Sequence, residues 1–110
     1  MEINDALTAF AALSQPTRLN AFRLLIQAGP NGLAAGEISD ALHVRQNTLS
    51  ANLSVLLGAG LVRNERQGRS IRYFADMDGL RGMLAFLLQD CCGGRSELCQ
   101  PLIEEIACTC

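Results

Sequence analysis

The sequence predicts a mainly α-helical (α+β) domain of about five helices with one two-stranded β-hairpin, assembled as a homodimer. Three observations favour this fold class. Apolar residues recur at helical spacing along most of the chain. Two helical stretches are separated only by His43–Gln46, and strand-like stretches flank the turn at Gln67–Ser70. With 110 residues, 49% of them apolar, the chain has material for one modest core.

The first three helices are defined by their apolar spacing and by the residues that break them. The first covers about residues 4–14, the second begins near Pro16, and the third covers about residues 36–42. Gly29–Gly32 is a dense breaker cluster between the last two. The residues expected on their apolar faces are, in chain order, Leu7, Phe10, Leu13; Leu19, Phe22, Leu25, Ile26; Ile38, Ala41 and Leu42.

A fourth helix, about residues 47–59, has two contrasting faces. Its predicted buried face consists of Leu49, Leu53, Leu56 and Leu57. The opposite face is small and polar and consists of Thr48, Ser50, Ala51, Asn52 and Ser54. Two helices joined by so short a turn, the second with such an outer face, are typical of a helix-turn-helix, although an ordinary helical hairpin is the alternative.

The stretch after Gly60 favours the helix-turn-helix. Residues 61–67 and 70–76 are expected to form two strands, and the turn between them carries Arg69 at its tip. A helix-turn-helix followed directly by such a hairpin is a winged helix. The wing could place Arg69 along a phosphate backbone or in a minor groove of DNA.

The charge distribution fits that interpretation better than the net charge of −2 does. All nine basic residues are arginine, and five of them lie between residues 41 and 75 beside a single acid, Glu65. A local basic face is compatible with DNA binding, and a solvated hairpin surface is the alternative. The residues predicted to contact DNA are Arg45, Gln46, Asn47, Thr48, Ser50, Ala51, Ser54 and Arg69.

The last predicted helix starts near Asp78 and has more apolar surface than a small domain can cover alone. Its face consists of Leu80, Met83, Leu84, Leu87 and Leu88, and Cys91 is the next residue on it. We therefore expect a homodimer. The predicted interface residues are Leu7, Phe10, Leu80, Leu84 and Leu87. Gly93-Gly94 should end this helix, so residues 1–92 are expected to form the DNA-binding and dimerisation domain and 93–110 a cysteine-containing tail.

All five cysteines lie in the last twenty residues, where they could not staple the fold. The acidic start, Met1–Asp5, lacks the features of a signal peptide, and no apolar run is long enough to span a membrane. We expect a soluble, cytoplasmic protein, in which clustered thiols bind metal or respond to redox change. The absence of Cys-x-x-Cys and of a Gly-rich phosphate loop argues against an enzyme.

In its central segments the chain resembles the ArsR/SmtB family of winged-helix, metal-responsive repressors. The matching segments are residues 13–19, 47–56, 60–62 and 68–73. The resemblance implies a homodimer that binds an imperfect palindrome in double-stranded DNA and leaves it when metal arrives. Two sensor sites of the family are missing. The thiol site at the start of the third helix is absent because Ala34–Glu37 has no thiol, and the histidine site on the last helix is absent because His43 is the only histidine.

What remains is Cys91, Cys92 and Cys99, which resemble the thiols of arsenite sensors whose site follows the last helix. Soft thiolates select thiophilic ions. The resemblance implies that trivalent arsenic or antimony is the inducer and that an arsenic-resistance operon is the target. Zinc, cadmium or lead sensing and a thiol redox or persulfide switch are the alternatives. Cys91 could also be only a packing residue, and Cys108 and Cys110 could form a second thiol site or an exposed tail.

Overall fold

The computed structural model describes the backbone of residues 1–89 and 91–106, and the side chains of all these residues except Cys91 and Cys92. This part is a winged helix-turn-helix, as predicted. Its helices are α1 (Ile3–Leu13), α2 (Pro16–Ala28), α3 (Ala35–Leu42), α4 (Gln46–Gly58), α5 (Met77–Leu87) and α6 (Ser96–Ile106). Its strands are β1 (Leu33–Ala34), β2 (Val62–Gln67) and β3 (Ser70–Ala75). Short 3₁₀ turns cover Gly29–Asn31 and Cys91–Gly94.

The wing is part of a three-stranded antiparallel sheet in the order β1-β3-β2. The hairpin pairs Val62 with Ala75 and Gln67 with Ser70, and Gly68 takes a positive φ of 65° in the turn between them. Strand β1, which the sequence did not predict, pairs Leu33 with Tyr73. It is only two residues long, too short to show any alternation of apolar and polar residues.

Helix α4 lies at the centre of the core. Its Leu49, Leu53 and Leu56 are fully buried, as predicted, whereas Leu57 is only partly buried. Helices α1, α2 and α3 and strand β2 all pack against it. The other fully buried large side chains of the described part are Leu25, Ile38 and Leu61.

Several apolar side chains of the first three helices do not face the core of the protomer. The sequence assigned two of them, Leu7 and Phe10, to the dimer interface, for which exposure in a single protomer is expected. In α1 the buried residues are alanines, Ala6, Ala9 and Ala12, while Leu7 and Phe10 point outwards. The small side chains let α1 approach its neighbours closely. Leu19 of α2 is also exposed.

The apolar face of α3 was also assigned incorrectly at one position, because Ala41 is exposed and Ser39 is buried instead. The Ser39 hydroxyl donates to the carbonyl of Val44, which satisfies the buried oxygen and fixes the turn towards α4.

Gln15 caps α2 by accepting a 2.8 Å hydrogen bond from the backbone N–H of Arg18. The end of the last predicted helix differs from the prediction. Helix α5 ends at Leu87, before Cys91, and a further helix, α6, follows the 3₁₀ turn. In the described part of the chain, no helix combines the length and apolar character that crossing a membrane requires.

Helix α5 begins in close contact with the turn that follows α4. Asp76 caps it by accepting from the N–H groups of Asp78 and Gly79, at 3.1 and 3.2 Å. A Cβ atom at Gly79 would overlap the carbonyl oxygen of Gly60. Only glycine therefore permits this approach of α5 to the helix-turn-helix.

Replacing Gly79 with alanine should lower the free energy of unfolding by about 1–3 kcal/mol, because the added methyl group collides with backbone. Gly58→Ala is the matched control: it lies in α4 with nothing within 4 Å of the added Cβ, so it should leave stability unchanged or raise it. Urea unfolding measures both. A Gly79→Ala variant as stable as the wild type would contradict the close approach.

Candidate nucleic-acid interface and cysteine segment

The outer face of α4 presents a short polar surface. All the residues predicted to contact DNA are exposed, namely Arg45, Gln46, Asn47, Thr48, Ser50, Ala51, Ser54 and Arg69. The side chains at positions 48, 50, 51 and 54 are small, so they protrude little from this face of the helix. Such a helix fits the major groove, and the amides at its start have the chemistry to read adenine edges.

Asn52 does not belong to this surface, contrary to the sequence-based assignment. It is only 9% exposed, because it lies on the same stripe as Leu49, Leu53 and Leu56. Its side-chain oxygen accepts a 3.1 Å hydrogen bond from Arg18, and its amide nitrogen donates to the Thr48 carbonyl at 3.1 Å. The spacing of positions 49, 52, 53 and 56 was the signal that could have revealed this.

The wing divides its arginines between two faces. Side chains alternate along a strand, so Arg63 and Arg72 point to one side of the hairpin and Arg66 to the other. Arg63 lies over the Phe74 ring, 4.4 Å from its centroid, and pairs with Glu65 at 3.4 Å. The basic segment is therefore not one continuous face.

Arg72 has a structural role on its side of the hairpin. Its guanidinium donates to the carbonyls of Asn31 and Gly32, at 3.3 and 3.2 Å, and pairs with Glu37 at 3.4 Å. Glu37 also accepts from the backbone N–H of Ala34 at the start of α3. Arg72 thus ties β3 to the segment before the helix-turn-helix. Among the described residues, the side chains of Arg66 and Arg69 form no ion pair or hydrogen bond.

An exposed apolar face runs across α1 and α5, which pack against each other. We call it the α1/α5 face and define it by Ile3, Leu7, Phe10, Leu84 and Leu87. Leu7 is 58% exposed and Leu87 is 59% exposed, large fractions for leucine. Leu80, which the sequence also assigned to an interface, is partly buried against the core of its own protomer.

The cysteine segment consists of the 3₁₀ turn Cys91–Gly94 and helix α6, which follows it directly after Arg95. Cys99 lies near the start of α6, is 7% exposed and is disulfide-bonded. The side chains of Cys91 and Cys92, and all of Cys108 and Cys110, lie outside the described residues. Among the side chains that are described, no three His, Cys, Asp or Glu groups are arranged to hold a metal ion.

Two charged side chains lie between the turn and Cys99. The Arg95 Nε atom donates to Glu97 at 2.8 Å on the surface. The pKa of Glu97 lies below its usual value, because its carboxylate accepts hydrogen bonds from its own backbone N–H and from Arg95. Arg95 is therefore already paired with a carboxylate at the edge of the cysteine segment.

A family profile described as a helix-turn-helix domain matches residues 13–65. Over 62 residues the chain is 37% identical to the HTH-type transcriptional repressor SmtB of Mycobacterium tuberculosis. That match covers 56% of this chain and 44% of SmtB, so the chain spans less than half of that repressor. It is 30% identical over 95 residues to the uncharacterized HTH-type transcriptional regulator YbzH of Bacillus subtilis, covering 76% of this chain and 95% of YbzH.

Two solved structures share the fold over most of the chain. An ArsR-like transcriptional regulator from Rhodococcus sp. RHA1 has a TM-score of 0.71 at 27% identity, covering 98% of this chain and 97% of that one. The homodimeric winged helix-turn-helix DNA-binding domain of Mb0332 from Mycobacterium bovis, described as a possible ArsR-family regulator, has a TM-score of 0.66 at 29% identity. That match covers 78% of each chain.

Proposed function

The chain belongs to the ArsR/SmtB family of helix-turn-helix transcriptional regulators, and we propose that it is a homodimeric repressor of an arsenic-resistance operon. In this proposal, trivalent arsenic or antimony binds to Cys91, Cys92 and Cys99 and releases the protein from its operator. The observation that carries DNA binding is the exposed polar face of α4 beside the Arg69 wing tip. The inducer is inferred from the cysteine segment.

In DNA binding, α4 enters the major groove and the wing lies over the adjacent backbone. Gln46 and Asn47, at the first turn of α4, are placed to meet base edges, and Ser50 and Ala51 are small enough to allow close approach. Arg69, at the tip of the hairpin, contributes charge to phosphate or to the minor groove. Arg63 is already engaged with Phe74 and Glu65.

Replacing Arg69 with alanine should weaken binding to all DNA sequences alike, because a phosphate contact carries no base information. The slope of log affinity against log salt should shrink by about 0.9 for each phosphate contact removed. Fluorescence anisotropy at several salt concentrations measures both quantities. Arg63→Ala is the control, an arginine of the same wing that should leave the slope unchanged. A change in sequence preference with an intact slope would contradict the wing assignment.

The α1/α5 face supports the homodimer. Its leucines and phenylalanine are exposed in one protomer, and burying an apolar side chain of this size contributes about 1.5–3 kcal/mol. The Mb0332 domain, which has this fold, is described as homodimeric. A twofold assembly would present two α4 helices to the two halves of a palindrome.

Replacing Leu87 with glutamate should produce monomers that no longer bind a palindrome tightly, because the new charge would be buried at the seam. Sedimentation velocity at micromolar concentration gives the oligomeric state. Leu19→Glu is the control, since Leu19 is also exposed but lies on α2, outside the α1/α5 face. Circular dichroism should show both variants folded. A monomeric wild type, or a dimeric Leu87→Glu variant, would contradict the proposed interface.

The cysteine segment suits a thiophilic ion. Trivalent arsenic and antimony form three-coordinate pyramidal thiolate complexes, and Cys91, Cys92 and Cys99 lie on two successive elements, the 3₁₀ turn and α6. Cys99, which is disulfide-bonded in this structure, must first be reduced, for example by dithiothreitol. Each of the three thiols then loses a proton on binding, and the start of α6, where Cys99 lies, is the end of a helix that favours negative charge. Gly93 and Gly94, both at positive φ, form the end of the turn that leads into α6.

The segment is also placed to affect DNA binding. It follows α5 by only a few residues, and α5 carries Leu84 and Leu87 of the α1/α5 face. Drawing three cysteines onto one ion constrains the chain directly after α5. We infer that this changes how the protomers pack and so the distance between the two α4 helices, which must match half-sites one helical turn apart.

Arsenite and DNA should therefore oppose each other through a coupling free energy on the order of 1–3 kcal/mol, and by linkage the effect is reciprocal. Replacing Cys91, Cys92 or Cys99 with serine should give a repressor that binds DNA but no longer responds to arsenite. Cys108→Ser and Cys110→Ser are the matched controls and should respond almost as the wild type does. Anisotropy of an operator duplex with and without arsenite measures the response.

If arsenite still released the Cys91→Ser, Cys92→Ser, Cys99→Ser triple variant from DNA, the proposed arsenite site would be wrong.

A thiol switch is the second candidate function, favoured by the disulfide at Cys99. In that case hydrogen peroxide takes two electrons and two protons from two thiols, which leaves a disulfide and two waters. DNA release by peroxide, reversed by dithiothreitol and without any effect of arsenite on the reduced protein, would establish the switch instead.

A further inference from the structure

The end of α1 contains a backbone carbonyl that its own helix cannot satisfy. The carbonyl of Ala12 would normally accept from the N–H four residues later, but that residue is Pro16, which has no N–H. The Nε atom of Arg18 takes this place with a 2.6 Å hydrogen bond. The positive guanidinium also complements the negative end of the α1 dipole.

The same guanidinium reaches α4. Its Nη1 atom donates to the side-chain oxygen of Asn52 at 3.1 Å, a contact between residues 34 positions apart in the chain. The amide nitrogen of Asn52 in turn donates to the carbonyl of Thr48, one turn earlier in α4. Because Asn52 is 9% exposed and Arg18 is partly buried, these hydrogen bonds are partly shielded from water.

Arg18 therefore joins two surfaces with different roles. At one end it is bonded to α1, which carries Leu7 and Phe10 of the α1/α5 face. At the other end it is bonded to α4, whose exposed Thr48 and Ala51 adjoin Asn52. The guanidinium is planar and its donors are fixed relative to one another, so it transmits position between these helices better than a flexible ammonium would.

We propose that Arg18 is a positioning residue for DNA recognition, which sets the placement of α4 relative to α1 through Ala12 and Asn52. It acts on base discrimination rather than on the phosphate backbone, and it couples the protomer interface to the recognition helix. The inference rests on the proposed function in one respect, that α4 is the helix that reads DNA. No contact between Arg18 and DNA is required.

The test compares Arg18→Met, Arg18→Lys and Asn52→Leu with the wild type. Each is titrated onto a duplex from upstream of its own gene, chosen by footprinting with the wild type, and onto a scrambled duplex of equal length. The ratio of the affinity for the specific duplex to that for the scrambled duplex should fall by about tenfold in all three variants, which is the size of effect of one mismatched base pair. The slope of log affinity against log salt should not change. Lysine should not rescue, because one ammonium cannot reproduce the planar two-point contact.

The double variant Arg18→Met, Asn52→Leu should be no worse than either single variant, because both break the same link. Equal weakening on both duplexes, a smaller salt slope and rescue by lysine would identify Arg18 as a phosphate contact and overturn the proposal. If folded Arg18→Met protein kept the wild-type affinity ratio, Arg18 would serve only to cap α1, and the proposal would also be overturned.

Hydrogen exchange of the protein without DNA gives a second readout that does not depend on the proposed function. Arg18→Met should speed amide exchange in α4 as well as at the end of α1, while exchange in α5 stays as in the wild type. Asn52→Leu, which extends an apolar stripe, should keep the fold and speed exchange at the end of α1. Unchanged exchange in α4 of Arg18→Met would overturn the proposal even if the wild type bound no DNA, whereas absence of DNA binding alone would refute the proposed function.

Discussion

Burial of the leucine stripe of α4 is the constraint on which the rest of this structure depends. Leu49, Leu53 and Leu56 are fully buried, and α1, α2, α3 and β2 all pack against the helix that carries them. Burying each leucine contributes about 1.5–3 kcal/mol, so rotating α4 would expose several such side chains at once. The opposite face of α4 therefore points to solvent, and the orientation of its polar residues is fixed.

The charged residues illustrate how a fold redistributes what is clustered in a sequence. Five arginines lie between residues 41 and 75, yet the structure uses them in different ways. Arg72 secures β3 to the start of α3, and Arg63, although exposed, stacks on Phe74 and pairs with Glu65. Arg45, Arg66 and Arg69 are exposed as well. Arg18, outside the cluster, has a central structural position. Net charge over a segment therefore overestimates the surface available to DNA.

The cysteine segment is the part of the structure that differs most from the prediction based on apolar periodicity. The apolar spacing of α5 extends formally to Cys91, but the helix ends at Leu87 and the chain turns through Cys91–Gly94 into α6. Cys99 is thereby placed near the start of a helix, where it is 7% exposed and disulfide-bonded.

The sequence by itself determined the features that depend on local patterns: the leucine spacing of α4, the hairpin turn at Gly68 and the order of helix-turn-helix and wing. Only the tertiary structure decided which faces were used. Asn52 is buried because Arg18 and the Thr48 carbonyl satisfy it, and the alanines of α1 are buried because close packing favours small side chains. Strand β1 exists only through pairing with β3. These outcomes depend on partners distant in the chain, which local periodicity does not contain.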